Sequence, residues 1–372
     1  MSNELAAERT ARLRTAMTQQ GIDWLVLAGN AWRSDYLRFA VDITPMEGVA
    51  IALIPREGVV RLWVDRRSEQ ERMAAEQPSL DVKWAPDPVA AVEHELTALQ
   101  RVALATVHTA PTRLARGALG STITAATAML DKLILNMSPL EADAVERACQ
   151  LADAGYAVFR EAALVGRREF EMVAELETWF RAHGCPENFM IMGSGGKEVR
   201  TMRPPGERRL QEGDLVTTEL TPCVDGYYAQ ICRTLVIGTP TKLQLDSYAV
   251  YRDALEAGVA AVRPGATFGD VARAQNDVFR SHGLAEYITS KYTRVRGHGV
   301  GLYVDGTHVL EDVDTVLAPD MTLIVHPNTY HPDAGYIVLG DVVRVTPEGC
   351  RVLTRTSRRL QTVPVRRAEG VQ

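Results

Sequence analysis

Gly226-Tyr-Tyr-Ala-Gln-Ile-Cys-Arg-Thr-Leu-Val-Ile237 reads as a strand closing in an apolar, β-branched run, yet it carries polar groups where a sheet ordinarily places apolar ones. Gln230 and Cys232 are two residues apart, so the period of a strand projects both from one face. The preceding stretch, Asp214-Leu-Val-Thr-Thr-Glu-Leu220, reads as a second strand and contributes Glu219. Further on, His298 lies in the glycine-rich bend Gly297-His-Gly-Val-Gly301, and His326 interrupts the β-branched run Met321-Thr-Leu-Ile-Val-His326. If these strands adjoin, Glu219, Gln230, Cys232, His298 and His326 meet in one pocket. Taken singly, Cys232 reads as a buried small hydrophobe and Gln230 as a polar sheet-face residue. The glycines around His298 allow close approach of a backbone or a ligand.

Working outward, Ser138-Pro-Leu-Glu141 has the spacing of a capping box with proline at the first helical position, and it opens a long apolar-periodic segment. That segment ends in Phe180-Arg-Ala-His-Gly184, and a second helical pair, starting near Leu245, ends in Phe279-Arg-Ser-His-Gly283. The repeated ending predicts two related units of paired helices plus strands. Gly184 and Gly283 are helix stops, which makes His183 and His282 last-turn helix residues rather than ligands. In the first half, a helix over residues 4–20 precedes strands near Trp24, Gly48 to Pro55 and Val59 to Val64, the pattern of a mixed α/β domain.

Composition narrows the function classes. With 41 Lys and Arg against 47 Asp and Glu, the net charge is −6 and no basic block exists, so neither nucleic acid nor an anionic membrane surface is an expected partner. No stretch approaches the ~18 uninterrupted apolar residues of a membrane span. The five cysteines are odd in number and unclustered, which predicts neither a disulfide framework nor a zinc knuckle and fits a cytoplasmic protein.

A family resemblance joins these pieces. Ser138-Pro-Leu-Glu141, Gln211-Glu-Gly-Asp-Leu215, Gly226-Tyr-Tyr228 with Arg233-Thr-Leu235, and Gly297-His-Gly-Val-Gly301 occur in the order seen in creatinases, Xaa-Pro peptidases and methionine aminopeptidases. Glu311-Asp-Val-Asp-Thr315, Leu317-Ala-Pro-Asp-Met321 and Val343 to Leu353 continue the series. The second half therefore resembles their pita-bread fold, and Asn30, Tyr36-Leu37 and Ala50 to Gly58 resemble the smaller first domain of creatinases and Xaa-Pro peptidases. The resemblance implies an α+β chain: a creatinase-type amino-terminal α/β domain over 1–135 and a pita-bread catalytic domain over 136–372. Pro222, Gly226-Tyr-Tyr228 and the Glu311 segment lean towards creatinase.

The same resemblance sets out the site. The family's metalloenzymes hold two divalent ions with two Asp, one His and two Glu. At the matching positions this chain has Glu219, Gln230, His298, His326 and Gly340, so only the histidine is retained. The expectation drawn from this is no cofactor and a metal-independent, creatinase-like hydrolase cleaving an amide or ureido C–N bond in a small carboxylate-bearing metabolite. One alternative is a mononuclear Xaa-Pro peptidase-like hydrolase with one Zn, Mn or Fe ion on His298, His326 and Glu219. Another is a non-catalytic binding protein.

His298 or His326 is expected as a general acid/base, or as the base that activates Cys232 as a nucleophile, with Glu219 or Asp341 orienting a histidine. Asp341 also reads simply as a backbone-capping aspartate. Gln230 would steady an oxyanion. The position of creatinase's catalytic histidine falls on Met202. For the substrate, Arg33, Arg203 and Arg296 are candidate carboxylate binders and Tyr228 a pocket wall. Creatinase takes such an arginine across a dimer, so a homodimer is implied.

Overall fold

A computed structural model describes residues 3–99, 102–111, 113, 114 and 122–367. The chain divides into two compact units, Met1–Leu135 and Asn136–Gln372. In the first unit, α1 (Asn3–Gln19), β1 (Trp24–Asn30), α2 (Asp35–Val41), β2 (Val49–Pro55), β3 (Arg61–Val64), α3 (Arg67–Glu76), β4 (Asp81–Trp84), α4 (Pro88–Ala98), β5 (Ala103–Thr106), β6 (Thr122–Ala125) and α5 (Thr127–Leu135) follow in order. The six strands form one mixed sheet in the order β4-β3-β2-β1-β5-β6. Strand β1 is central, antiparallel to β2 and parallel to β5, which is why its run Leu25 to Ala28 is apolar without alternation.

The second unit opens with α6 (Pro139–Glu161), α7 (Glu169–Ala182), β7 (Asn188–Gly195), β8 (Leu215–Val224), β9 (Tyr227–Tyr228) and β10 (Ile231–Ile237). It continues with α8 (Lys242–Ala261), α9 (Phe268–Ser281), β11 (Gly297–Gly299), β12 (Thr322–Val325), β13 (Thr329–His331), β14 (Gly335–Ile337), β15 (Asp341–Thr346), β16 (Gly349–Val352) and β17 (Gln361–Val363). The capping box forms as read. The Ser138 hydroxyl accepts from the Glu141 amide at 3.2 Å, and the Glu141 carboxylate accepts from the Ser138 amide at 2.8 Å. Helix α6 then buries Val145, Ala148, Cys149, Ala152, Tyr156 and Phe159, a stripe at helical spacing. It packs with α7 and the strands β8 and β10 around Leu176, Phe180, Leu220 and Ile231, and each fully buried Leu, Ile or Phe contributes roughly 1.5–3 kcal/mol. His183 and His282 cap α7 and α9, and the following Gly184 and Gly283 adopt φ of 77° and 72°.

Two sheets carry the polar strand residues. One has the order β17-β10-β8-β7, with β9 beside β8; the other has the order β11-β12-β15-β16. The stretch from Gly335 to Thr346 is broken into β14 and β15, because Val338 to Gly340 leave the ladder to pair elsewhere. Gly340 exchanges backbone hydrogen bonds with Cys232 of β10, at 3.0 and 3.4 Å, and so ties one sheet to the other. Arg233, fully buried, reinforces the seam: it donates to the Cys232 and Gly340 carbonyls at 2.9 and 2.6 Å and to Asp341 Oδ1 at 2.6 Å. This seam brings the end of β8 and β10 against the ends of β11 and β12.

Candidate active site

A cavity of about 330 Å³ opens where the two sheets meet. Glu219, Gln230, His298 and His326 all line it, so four of the five strand residues singled out in the sequence converge. Register explains the convergence: Glu219 on β8 pairs opposite Cys232 on β10, and His298 on β11 pairs opposite Ile324 on β12, two residues before His326.

His298 is held in place by its backbone and by its ring. Gly297 takes φ of 131°, and a Cβ there would stand 2.1 Å from the Ile324 carbonyl oxygen, so only glycine lets β11 lie this close to β12. The His298 Nδ1 lies 3.0 Å from the Gly299 carbonyl oxygen. A carbonyl only accepts, so Nδ1 carries the hydrogen and Nε2 keeps its lone pair. Burial pushes the His298 pKa down, against the opposing pull of Asp305, whose Oδ1 is 3.6 Å from Nδ1. Asp305 in turn lies 3.0 Å from His308 Nε2.

The His326 ring stands edge-on to His298 with centroids 5.5 Å apart. Burial, then the proximity of His298 and Arg296, drive its pKa well below the usual histidine range, so it is a neutral imidazole. Its Nδ1 is buried without a hydrogen-bond partner among the described residues. Glu219 receives a 2.6 Å hydrogen bond from Asn328 Nδ2, and burial raises its carboxyl to about 7. Asn328 is fixed by the Leu339 amide, which donates to its Oδ1 at 3.0 Å.

Several expectations are corrected. Cys232 is fully buried, does not line the cavity, and burial beside Glu219 holds its thiol well above the ordinary range, so it lacks the thiolate a nucleophile needs. Gln230 lines the cavity but turns its amide nitrogen to the Cys232 sulfur at 3.6 Å. Arg296 is fully buried and spends its guanidinium on protein acceptors: Asn276 Oδ1 at 2.6 Å, the Asn328 carbonyl at 2.9 Å, and the Thr293 carbonyl. It therefore positions the cavity wall instead of binding substrate. Tyr228 is buried with its hydroxyl on Glu187 and does not line the cavity. Arg203 is exposed and pairs its backbone with Met192, although its neighbour Met202 does line the cavity. Arg33 is not contradicted: it lies exposed in the turn after β1, in the first unit, and its expected role belongs to a second copy of the chain. Asp341 orients no histidine; its oxygens accept from Arg233, Thr354 and Arg358.

Asp305, His308, Asn328, Thr293 and Tyr336 line the cavity without having been read from the sequence. Asn328 carried the only available signal, two residues beyond His326 and hence on its side of an extended chain. Asp305 lies in an irregular loop with no period to betray it.

Comparison with known proteins places the chain. Residues 143–347 match the model of metallopeptidase family M24, more than half the chain, and the chain belongs to that family. It is 29% identical over 223 residues to the Xaa-Pro dipeptidase of Pyrococcus furiosus, covering 59% of this chain and 63% of that protein. With the probable dipeptidase PepE of Mycobacterium tuberculosis it shares 32% identity over 251 residues, covering 67% of this chain and 66% of that protein. The solved structure of dipeptidase PepE from Mycobacterium ulcerans superposes with a TM-score of 0.81 at 27% identity, covering 98% of this chain and 100% of that one. An amino-terminal domain followed by a pita-bread catalytic domain is thus the architecture of this chain.

These findings overturn two expectations. Curated relatives carrying dipeptidase names displace the creatinase-like reading, and membership of a metallopeptidase family displaces the expectation of no cofactor. The side chains present nevertheless do not fit the two-ion set that the resemblance implies. Gly340 offers no carboxylate and no room for one, since a Cβ there would stand 2.7 Å from His326 Cβ and 3.2 Å from Cys232 Cβ. Among the described residues, no group of three or more His, Cys, Asp or Glu is placed to hold an ion, and His298, His326 and Glu219 form no such group either.

Proposed function

We propose that this chain hydrolyses the amide C–N bond of a small dipeptide-like substrate, with His298 handling the proton. The observation that carries this reading is the fixed tautomer of His298, whose basic nitrogen is left free on the wall of a cavity large enough for a dipeptide, in a chain of a peptidase family. Burial keeps the imidazole neutral and able to accept a proton from an attacking water. The imidazolium then formed is stabilised by Asp305, 3.6 Å from Nδ1, before it returns the proton to the leaving amine. Glu219, with its carboxyl near 7, is the second group on the wall that can hold a proton at neutral pH. A homodimer, implied by the resemblance, belongs to the same reading and is tested by light scattering of the full chain.

The test is chromatographic detection of products from a panel of Xaa-Pro and other dipeptides. The protein is assayed as purified, after chelation, and with Mn, Co or Zn added. In whichever condition supports turnover, His298→Ala is expected to lower it by about 10²–10⁴-fold. Turnover unchanged in that variant would sink the proposal.

A further inference from the structure

Strand β7 is the outer edge of its sheet, in the order β17-β10-β8-β7, and the side that faces away from β8 is only partly covered. An edge strand offers unpaired N–H and C=O groups to any chain that can lie beside it. Met192 shows which residues point that way. Its amide and carbonyl exchange two hydrogen bonds of 2.9 Å with Arg203, on the loop after β7. In an antiparallel ladder this direction alternates with a period of two, so Met190 and Asn188 also turn their backbone groups outward. The residues between them face β8: Phe189 stands opposite Thr221 and Ile191 opposite Glu219, and the Glu187 carbonyl accepts from the Cys223 amide at 3.0 Å.

The protein's own chain covers Met192 and then stops. Were the pairing to continue, residue 205 would stand opposite Met190, but Pro204 and Pro205 have no N–H to donate. Beyond them the chain leaves the edge for the start of α7, where the Gly206 amide donates to Glu169 Oε2 at 2.9 Å and its carbonyl accepts from the Phe170 amide. Among the described residues, nothing takes the outward backbone groups of Met190 and Asn188. This open stretch borders the cavity. Phe189 and Ile191 of β7 line it, as do Thr201 and Met202 of the covering loop, and Phe189 is 51% exposed. A chain laid beside Met190 would pass along the cavity rim with every second side chain on the cavity side.

We infer that the edge of β7 at Asn188 to Met190 is a docking strand for the extended backbone of a peptide, so that the site takes peptides longer than a dipeptide and holds them by main-chain hydrogen bonds. The inference rests on the reading of the cavity as a peptidase site, and binding is measured apart from turnover. The full chain is saturated with the tetrapeptide Ala-Val-Thr-Val, kept in excess, while amide hydrogen exchange is followed residue by residue by NMR and the integrity of the peptide by chromatography.

Without peptide, the Met190 amide should exchange faster than that of Ile191, which β8 holds. With the tetrapeptide its exchange should slow by at least about tenfold, whereas the dipeptide Ala-Val should leave it unchanged. Three tetrapeptide analogues, each with one backbone N-methyl group at the second, third or fourth residue, separate main-chain docking from side-chain contact. In an added strand the amides point alternately towards and away from the edge, so methylation should weaken binding by at least about tenfold at alternate positions only. A Met190 amide left unprotected by the saturating tetrapeptide, methylation that weakens binding at every position or at none, or no binding of the tetrapeptide would overturn the inference. Protection with the alternating pattern in a protein that cleaves no peptide counts for the docking edge and against the peptidase reading, and dipeptide cleavage with an unprotected Met190 does the reverse.

Discussion

Replacing Glu219 by Gln removes a proton from the linkage between folding and pH while keeping the side chain's shape. In the folded chain the Glu219 carboxyl titrates near 7, because burial disfavours its charged form more than the hydrogen bond from Asn328 favours it. In the unfolded chain it titrates near its ordinary value of 4.5. A group whose folded pKa is raised contributes stability that is fully present below the unfolded pKa and is lost as pH rises through the folded one. The window is therefore about pH 4.5 to 7, and the loss across it is at most about 3 kcal/mol, less where water in the cavity solvates the charge. The assay is urea unfolding of wild type and Glu219→Gln at several pH values across that window. Groups remote from the cavity titrate alike in both proteins, and the Cys232 and Tyr336 groups that feel Glu219 are raised above their ordinary values and so lie above this window, so the difference between the stabilities reports this carboxyl. Near pH 4.5 the two should be close, and at pH 8 the variant should be the more stable by about 2–3 kcal/mol. A stability difference that does not change with pH would refute the raised carboxyl of Glu219 on the cavity wall.

Asp341→Asn leaves Arg233 buried without its counter-charge and should cost about 3–5 kcal/mol, seen as a lowered unfolding midpoint in urea. Burial opposes ionisation of Asp341, but Arg233 and Arg358 outweigh it and lower its pKa, so the pair's stabilisation is present above about pH 4 and lost as pH falls through the folded value; the variant should lack that acid-side loss. Gly340→Ala should destabilise by about 1–3 kcal/mol, because the new Cβ meets the Cβ atoms of His326 and Cys232 and not the mobile end of a side chain; an unchanged thermal midpoint would contradict the packing described. Cys232→Ala should retain most of the turnover, and iodoacetamide should leave native Cys232 unmodified at neutral pH, as mass spectrometry of the digested protein would show.

Local sequence determined much of this protein. The Ser138 capping box, the glycine stops at Gly184 and Gly283, and the apolar stripe of α6 are short-range patterns whose physics is complete within a turn or two of helix. Glu219, Gln230 and His326 stood out because a polar side chain in an apolar strand is anomalous wherever the strand is finally placed, His298 stood out through the glycines that flank it, and all four reach one cavity. Only the tertiary structure decided what each does. Cys232 and Gln230, two residues apart, part company because Cys232 is sealed under the seam formed with Gly340, whereas Gln230 precedes β10 at the cavity edge. Arg296 changes from a substrate-binding candidate to a structural tie because Asn276, Thr293 and Asn328 arrive from three separate segments to take its donors. Asp305 enters the site through an irregular loop, where no periodicity foretells the direction of a side chain. Burial, which sets the protonation of Glu219, His298 and His326, is a property of the surroundings that distant segments supply, and no residue carries it in its own sequence neighbourhood.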